Sequence, residues 1–265
     1  MGVDQMNIRF KWVGGATWIL KVGDVTIACD PVLCPKGSVQ DYTYFKTVRV
    51  DEPVFSDGDF DSIDLWLLTH GHEDHLDAPG IAMIGDDACI VTHKSNKGTL
   101  KKRNIPDYTI LSWDQEYEKS IRGTRVLIRA VPAVHSKFSW LGKYIGNNNG
   151  YLITLFTGGS AVTIYATGDD VFSSKRFAKH CGKPVDIVIA NAGGARVGSG
   201  LMGKIIGRIT NNSVDIEKMA SVLHPAKLIP VHHGTFTHYM DKKIPFDKNE
   251  RILSVKPGEW ANITI

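Results

Sequence analysis

Four large apolar residues, Leu65 to Leu68, run without a break into the polar stretch "THGHEDHLD". In "IDLWLLTH" neither alternating set of side chains is polar, so a strand formed there has no face to give to water. Such a strand belongs inside a sheet that is covered on both sides, which demands a layered architecture. The polar stretch adds a second constraint. His70, His72, His75, Glu73, Asp74 and Asp77 crowd into eight positions where the strand ends, and strand ends are where an open sheet turns side chains toward a cleft.

The surrounding sequence supplies the other layers. "IRFKWV", "TWILKV" and "VTIACD" read as a meander of strands separated by glycine-containing turns, and "ACIVTH" and "TRVLIRAVPAVH" read as further strands. "GYLITLF" and "AVTIYAT" flank "TGGS" as a hairpin, "VDIVIAN" is a buried strand, and "AKLIPVHH" is a strand with its end marked by Pro230. Short helices are expected over residues 78–84, over "SNKGTLKKRN" with Ser95 as cap, and over "SSKRFAKHC". In "SVDIEKMASVLH", Ile216, Met219, Ala220 and Leu223 fall on one helical face. The fold class is therefore α/β, two β-rich layers flanked outside by helices. The 265 residues are read as one domain of two similar halves, about 1–130 and 131–265.

Charge and cysteine usage narrow the partners. The formal charge is +3, from 31 basic and 28 acidic residues, too weak to imply a nucleic-acid or membrane partner. Cys29, Cys34, Cys89 and Cys181 form no CxxC pair and fit a reducing compartment. "MGVDQMNIRFKW" has no apolar run long enough for a signal peptide, and Met6 stands where a myristoylation motif wants Ser or Thr. No apolar stretch approaches the ~18 residues of a membrane span. A cytoplasmic protein with no membrane insertion is expected.

The chemistry lies in the histidines and aspartates. His70 and His72 are separated by Gly71, whose tight turn lets both imidazoles address one centre, while Asp74 and His75 can serve a second centre nearby. Neutral imidazole and carboxylate are donors that zinc and manganese accept. Further candidates close apolar runs elsewhere: His135 ends "IRAVPAVH", Asp169 ends "VTIYATGD", and His232 ends "KLIPVH". Five histidines and two aspartates can hold two ions, one on three histidines and one on two histidines plus an aspartate, with the other aspartate between them.

Those motifs resemble the metallo-β-lactamase superfamily in its metal-dependent hydrolase branch, near the ascorbate-6-phosphate lactonase-like and N-acyl-phosphatidylethanolamine phospholipase D-like proteins. The resemblance covers essentially the whole chain. The family's HxHxDH stands as His70, His72, Asp74 and His75, and its later ligand positions match His135, Asp169 and His232. "CDP" at Cys29 to Pro31 looks like the early strand-end aspartate motif, and "LIPVHHGTF" looks like the final ligand strand. The resemblance implies a four-layer αββα metallo-β-lactamase-type sandwich, a binuclear site and hydrolysis by a metal-bridging hydroxide. Two departures stand out. Gly15 in "WVGGAT" replaces the histidine of the WxGHAT segment such relatives often carry, and Asp170 follows Asp169 where a hydroxyl residue is common.

Other residues take supporting parts. Asp30 is read as accepting an imidazole N–H and fixing its tautomer. Asn191 and Arg196 belong to the glycine-rich "NAGGAR", which can meet an anion, and Lys137, two residues past His135, can reach a substrate. His233, beside His232, either lines the pocket or faces solvent. Phe138, Trp140 and Tyr144 can form a pocket wall, and Lys94, Lys97, Lys101, Lys102 and Arg103 form a solvated helix face. His93, His180, His224 and His238 have no ligand context and are read as structural or surface residues.

The function expected is a binuclear metal-dependent hydrolase acting on a small ester, lactone or phosphodiester. Its cofactors are two divalent ions, zinc first, with manganese or iron sharing the same donors. Asp74 both ligates and accepts the proton released. A nuclease of the ribonuclease Z-like type calls for a basic exosite or an appended domain, and a non-catalytic sensor or scaffold calls for lost ligands.

Overall fold

The computed structural model describes residues 6–42, 45–105, 107–136, 147–196, 207–243 and 249–265. Lys137, Phe138, Trp140 and Tyr144 lie outside the described residues. Two sheets face one another. The first has the order β15-β1-β2-β3-β6-β7-β8 and the second β14-β13-β12-β11-β10-β9. In the first, β1 (Ile8–Gly14), β2 (Thr17–Val22) and β3 (Val25–Cys29) run antiparallel, then β3, β6 (Leu65–Leu68), β7 (Cys89–Thr92) and β8 (Thr109–Ile110) run parallel. The C-terminal β15 (Trp260–Ile263) returns to pair with β1.

The second sheet repeats this division. β9 (Glu116–Ile121), β10 (Thr124–Val134), β11 (Asn147–Thr157) and β12 (Ser160–Ala166) are antiparallel, and β12, β13 (Ile187–Asn191) and β14 (Lys227–Val231) are parallel. The β11–β12 hairpin turns at Gly158 and Gly159, both at positive φ (56° and 81°), the conformation a two-residue hairpin turn requires. Pro230 lies within β14 rather than beyond it. β14 is the edge strand, where a residue without an N–H costs no ladder bond.

The doubly apolar strand is explained by its neighbours. Leu65 and Leu67 point between the sheets, among Phe10, Trp18, Ile128, Ile153 and Ile189, while Trp66 and Leu68 pack outward against Ile81 and Leu100. Ile81 belongs to α1 (Ala78–Ile81) and Leu100 to α2 (Lys97–Lys102). The outer face of the second sheet is covered by Ile216, Met219 and Ala220 of the longest described helix (Ser213–Leu223) and flanked by a short one over Ser174–His180. These are α4 and α3 respectively. The order of layers is αββα.

Capping departs from expectation once. Ser95 does not cap α2. A 3₁₀ turn over Lys94–Asn96 precedes it, and the His93 ring nitrogen accepts from the Ser95 amide. α4 starts with a reciprocal capping box, Asn212 accepting from the Asp215 amide and Asp215 from the Asn212 amide. Ile216 is fully buried, so Ile216→Ala is expected to cost about 2–5 kcal/mol. Val214 is 70% exposed, so Val214→Ala should stay within about 0.5 kcal/mol. Urea denaturation midpoints of the two variants check the contrast.

Candidate metal centre

Sheet polarity brings the expected donors to one rim. Asp30 follows β3, His70 follows β6 after Thr69, His135 follows β10, Asp169 follows β12, and His232 follows β14. β10 and β12 are both antiparallel to β11 and so share a direction. Asp30 and His232 hold left-handed backbones, with φ of 42° and 60°. Such residues cost about 1–3 kcal/mol each and persist where the surroundings enforce them. Here each directly follows a strand, with Asp30 against His75 and His232 against Tyr239.

Three groups of donors form there, each with its ligand atoms within 4.8 Å of one another: His70, His72 and His135; Asp74, His75 and His232; and His70, His75 and Asp169. Asp169 stands between the first two. Its Oδ1 is 3.2 Å from His75 Nε2 and 3.6 Å from His232 Nε2, and its Oδ2 is 3.6 Å from His135 Nε2. His70 Nε2 and His72 Nδ1 are 2.8 Å apart. His70, Asp74, His75, His135, Asp169 and His232 are all buried, and His72 alone is partly exposed. The centre is therefore reached from the His72 side.

The donor set fits a cation. His75 Nε2 is buried without a hydrogen-bond partner while facing the Asp169 carboxylate. Burial and the neighbouring imidazoles of His75, His72 and His135 hold His70 well below the usual histidine range. Burial and His135 bring His72 down to about 4. Both therefore present lone pairs. Burial works to raise Asp74, yet hydrogen bonding by His232 and His238 and the charge of His75 hold it well below the usual carboxylate range. Burial opposes ionisation of Asp169 too, but His75 and His232 draw it well down. Burial lowers His75, but Asp169 and Asp30 outweigh it and draw a proton there. Buried carboxylates converging on one imidazole call for positive charge, and a divalent ion supplies it where that proton would sit.

A surrounding layer fixes the donors. Asp30 Oδ2 is 2.8 Å from His75 Nδ1, and the same carboxylate accepts from the Thr69 amide (2.7 Å) and hydroxyl (2.6 Å). It thus takes the Nδ1 hydrogen and leaves Nε2 free for a metal. Asn tolerates left-handed backbone, so Asp30→Asn preserves the turn and removes only the charge and its proton preference. Metal affinity is expected to fall roughly 10–100-fold, read by competition with a chromophoric chelator; an unchanged affinity would contradict this role. Asn148 packs its amide 3.3 Å from His135 Nδ1 and donates to the Asp169 carbonyl.

Several residues land elsewhere than their sequence context suggested. Asn191 is buried and donates to Asp169 Oδ1 at 2.9 Å, so it faces the donor set rather than an open pocket. Arg196 is exposed, and its amide donates to the His238 carbonyl. His233 lies tilted against Trp12, ring centroids 4.5 Å apart, outside the three donor groups. Asp170 turns away from the centre, accepting from the Val134 amide and Arg176 and so tying β10 to α3. Burial pushes it up to about 6 against the pull of Arg176. Gly15 has φ of 56°, and its carbonyl accepts from the His232 amide at 2.9 Å. The segment thus positions His232 by its backbone.

His238 is not a surface residue. Its Nε2 is 3.5 Å from Asp74 Oδ2, and its Nδ1 is 2.7 Å from Thr47 Oγ1. Two tyrosines also reach Asp74. Tyr42, on the hairpin β4 (Val39–Tyr42) and β5 (Phe45–Val48), lies 2.8 Å from Oδ1. Tyr239 lies 3.2 Å from Oδ2. The sequence signal for His238 and Tyr239 was their place in the same loop as His232. For Tyr42 there was none. His93 caps a helix, His180 pairs with Asp114, and His224 ends α4 in left-handed conformation.

A sequence model of the beta-lactamase superfamily domain matches residues 9–232. The chain belongs to the beta-lactamase superfamily. A superfamily relative, a UPF0173 metal-dependent hydrolase of Pyrococcus horikoshii, is 30% identical over 95% of this chain and 98% of its own. Among solved structures, an isothiocyanate hydrolase from Delia radicum gut bacteria superposes with a TM-score of 0.78 at 19% identity, over 97% of this chain and 100% of that one. A possible metal-dependent hydrolase from Veillonella parvula gives 0.75 at 21%, over 98% and 99%. This superfamily member is a metal-dependent hydrolase with the metallo-β-lactamase fold. Among its described residues no helix is long and apolar enough to cross a membrane.

Proposed function

We propose that the chain hydrolyses a small ester, lactone or phosphodiester at a binuclear centre made by His70, His72, His135, Asp74, His75, His232 and Asp169. The observation that carries this is Asp169, whose two oxygens face donors of both groups. These residues would hold two divalent ions, zinc first among those the donors suit, which would lower the pKa of water and polarise the oxygen of the bond to be cleaved.

The protein's residues do the remaining work. Asp30, Thr69, Asn148 and Asn191 hold the donors in place. Asp74 faces His232 through Oδ2 and can take the released proton at Oδ1, whose present partner is the Tyr42 hydroxyl. The buried rim excludes bulk water except beside His72, which favours a substrate small enough to enter there. Arg196 and Lys137 are proposed to meet an anionic part of that substrate, and His233, packed against Trp12, to line its pocket. The lactonase-like and phospholipase D-like resemblance sets the bond types to try first. A screen of lactones, phosphodiesters, thioesters and isothiocyanates, each with and without chelator, tests the assignment. Turnover of at least one ester, lactone or phosphodiester, abolished by chelator and restored by zinc or manganese, is expected. Chelator-insensitive turnover would contradict it.

A further inference from the structure

Tyr239 occupies a peculiar position at the centre. Its side chain is fully buried, and its hydroxyl oxygen lies 2.7 Å from His232 Nε2 and 3.2 Å from Asp74 Oδ2. Those two atoms are 3.7 Å from each other, so nitrogen, carboxylate oxygen and phenol oxygen form a compact triangle. His75 Nε2 stands at the far corner, with its ligand atom within 4.8 Å of those of Asp74 and His232. At bond lengths of ~2.0–2.2 Å, tetrahedral donors to one metal stand roughly 3.3–3.5 Å apart. The spacings of 2.7, 3.2 and 3.7 Å among the Tyr239, Asp74 and His232 atoms bracket that range.

Hydrogen bonding alone leaves the cluster short of hydrogens. With the His232 tautomer that presents Nε2 as a lone pair, as a metal donor must, the phenol's one hydrogen faces two acceptors, while His75 Nε2 has no hydrogen-bond partner. A cation among the four satisfies all of them. The ring is also held in place. It lies tilted against His232 with ring centroids 4.4 Å apart and edge-on to His238 at 4.5 Å. It fits because residue 193 is glycine: a Cβ there would stand 2.2 Å from the His232 carbonyl and 3.1 Å from Tyr239 Cγ.

Resting on the metal-centre reading above, we propose that the Tyr239 phenol oxygen is a protein donor of the position formed by Asp74, His75 and His232, in addition to the shared Asp169. The consequence is asymmetry. The position of His70, His72 and His135 keeps an open side toward His72 for substrate, and the Tyr239 position is closed by protein atoms. A phenol oxygen beside a carboxylate also makes the closed position the harder of the two, shifting its preference toward iron or manganese relative to the open one. On binding, the phenol proton passes to solvent.

The test uses the full chain, stripped with chelator and loaded with a ferric chelate, as wild type, Tyr239→Phe, Tyr42→Phe and His232→Ala. Visible absorption and resonance Raman report whether a phenolate is bound to iron, and elemental analysis counts the metal. A phenolate-to-iron band in wild type and Tyr42→Phe, missing from Tyr239→Phe with at least a tenfold loss of iron affinity, is the expected result. Iron bound without such a band, a band that survives Tyr239→Phe, or an extra ion gained on removing the hydroxyl would overturn the proposal. In those cases loss of iron in His232→Ala leaves the metal centre standing. A wild-type chain that retains neither iron nor zinc overturns both. Should Tyr239→Phe fail to fold, wild type and Tyr42→Phe decide: a band in both supports Tyr239, and its absence from wild type rejects it.

Discussion

Replacing Asp169 by alanine is expected to empty more of the centre than any other single change, taking the chain from two ions to one or none and turnover down by about 10³-fold or more. The reason is its position. Oδ1 lies within 3.6 Å of both His75 Nε2 and His232 Nε2, and Oδ2 is 3.6 Å from His135 Nε2. No other described carboxylate faces both donor groups. A 10³-fold loss corresponds to roughly 4 kcal/mol of transition-state stabilisation, within what a metal ion's polarising charge supplies. His72→Ala removes a donor from only one group, so it should lower metal content and turnover while leaving the Asp74 group filled. Elemental analysis and initial rates of the two variants separate the cases. An Asp169→Ala protein with full metal and full rate would refute the bridging role.

Removing the metal should also destabilise the fold. Asp30, Asp74 and Asp169 are each buried to 4% exposure or less, and they close around His75 and its neighbours. Without an ion, histidine protons must carry the compensating charge, and burial disfavours them. An ion bound only by the native state at a hundred times its Kd contributes about 2.7 kcal/mol. For a chain of this size that is roughly 5–10 °C in Tm. Scanning calorimetry with and without chelator, and again after adding zinc, should show a fall and a recovery of that order. A Tm indifferent to chelator would mean that the carboxylates are balanced by something else.

How much of this was legible in the sequence depended on periodicity. Leu65 to Leu68 announced a strand buried on both faces, and the sheets and helices on either side of it supply both covers. Donors at strand ends were legible too, because His135, Asp169 and His232 each close an apolar run. What was not legible lies where chain neighbours diverge or where no period exists. Asp170 follows Asp169 directly yet points to Val134 and Arg176, since successive residues at a strand end face opposite ways. Tyr42 sits on a hairpin that belongs to neither main sheet, so its contact with Asp74 is set by tertiary placement alone. Tyr239 and His238 lie in an irregular loop, and Ser95 lost its cap to the ring of His93 because the preceding turn tightens to 3₁₀.

Anomalous X-ray scattering at the metal edge, from crystals of the metal-loaded chain, tests the central claim most directly. Two peaks are predicted, one among His70, His72 and His135 and the other among Asp74, His75 and His232, with Asp169 touching both. A single peak, or peaks away from these side chains, would contradict it.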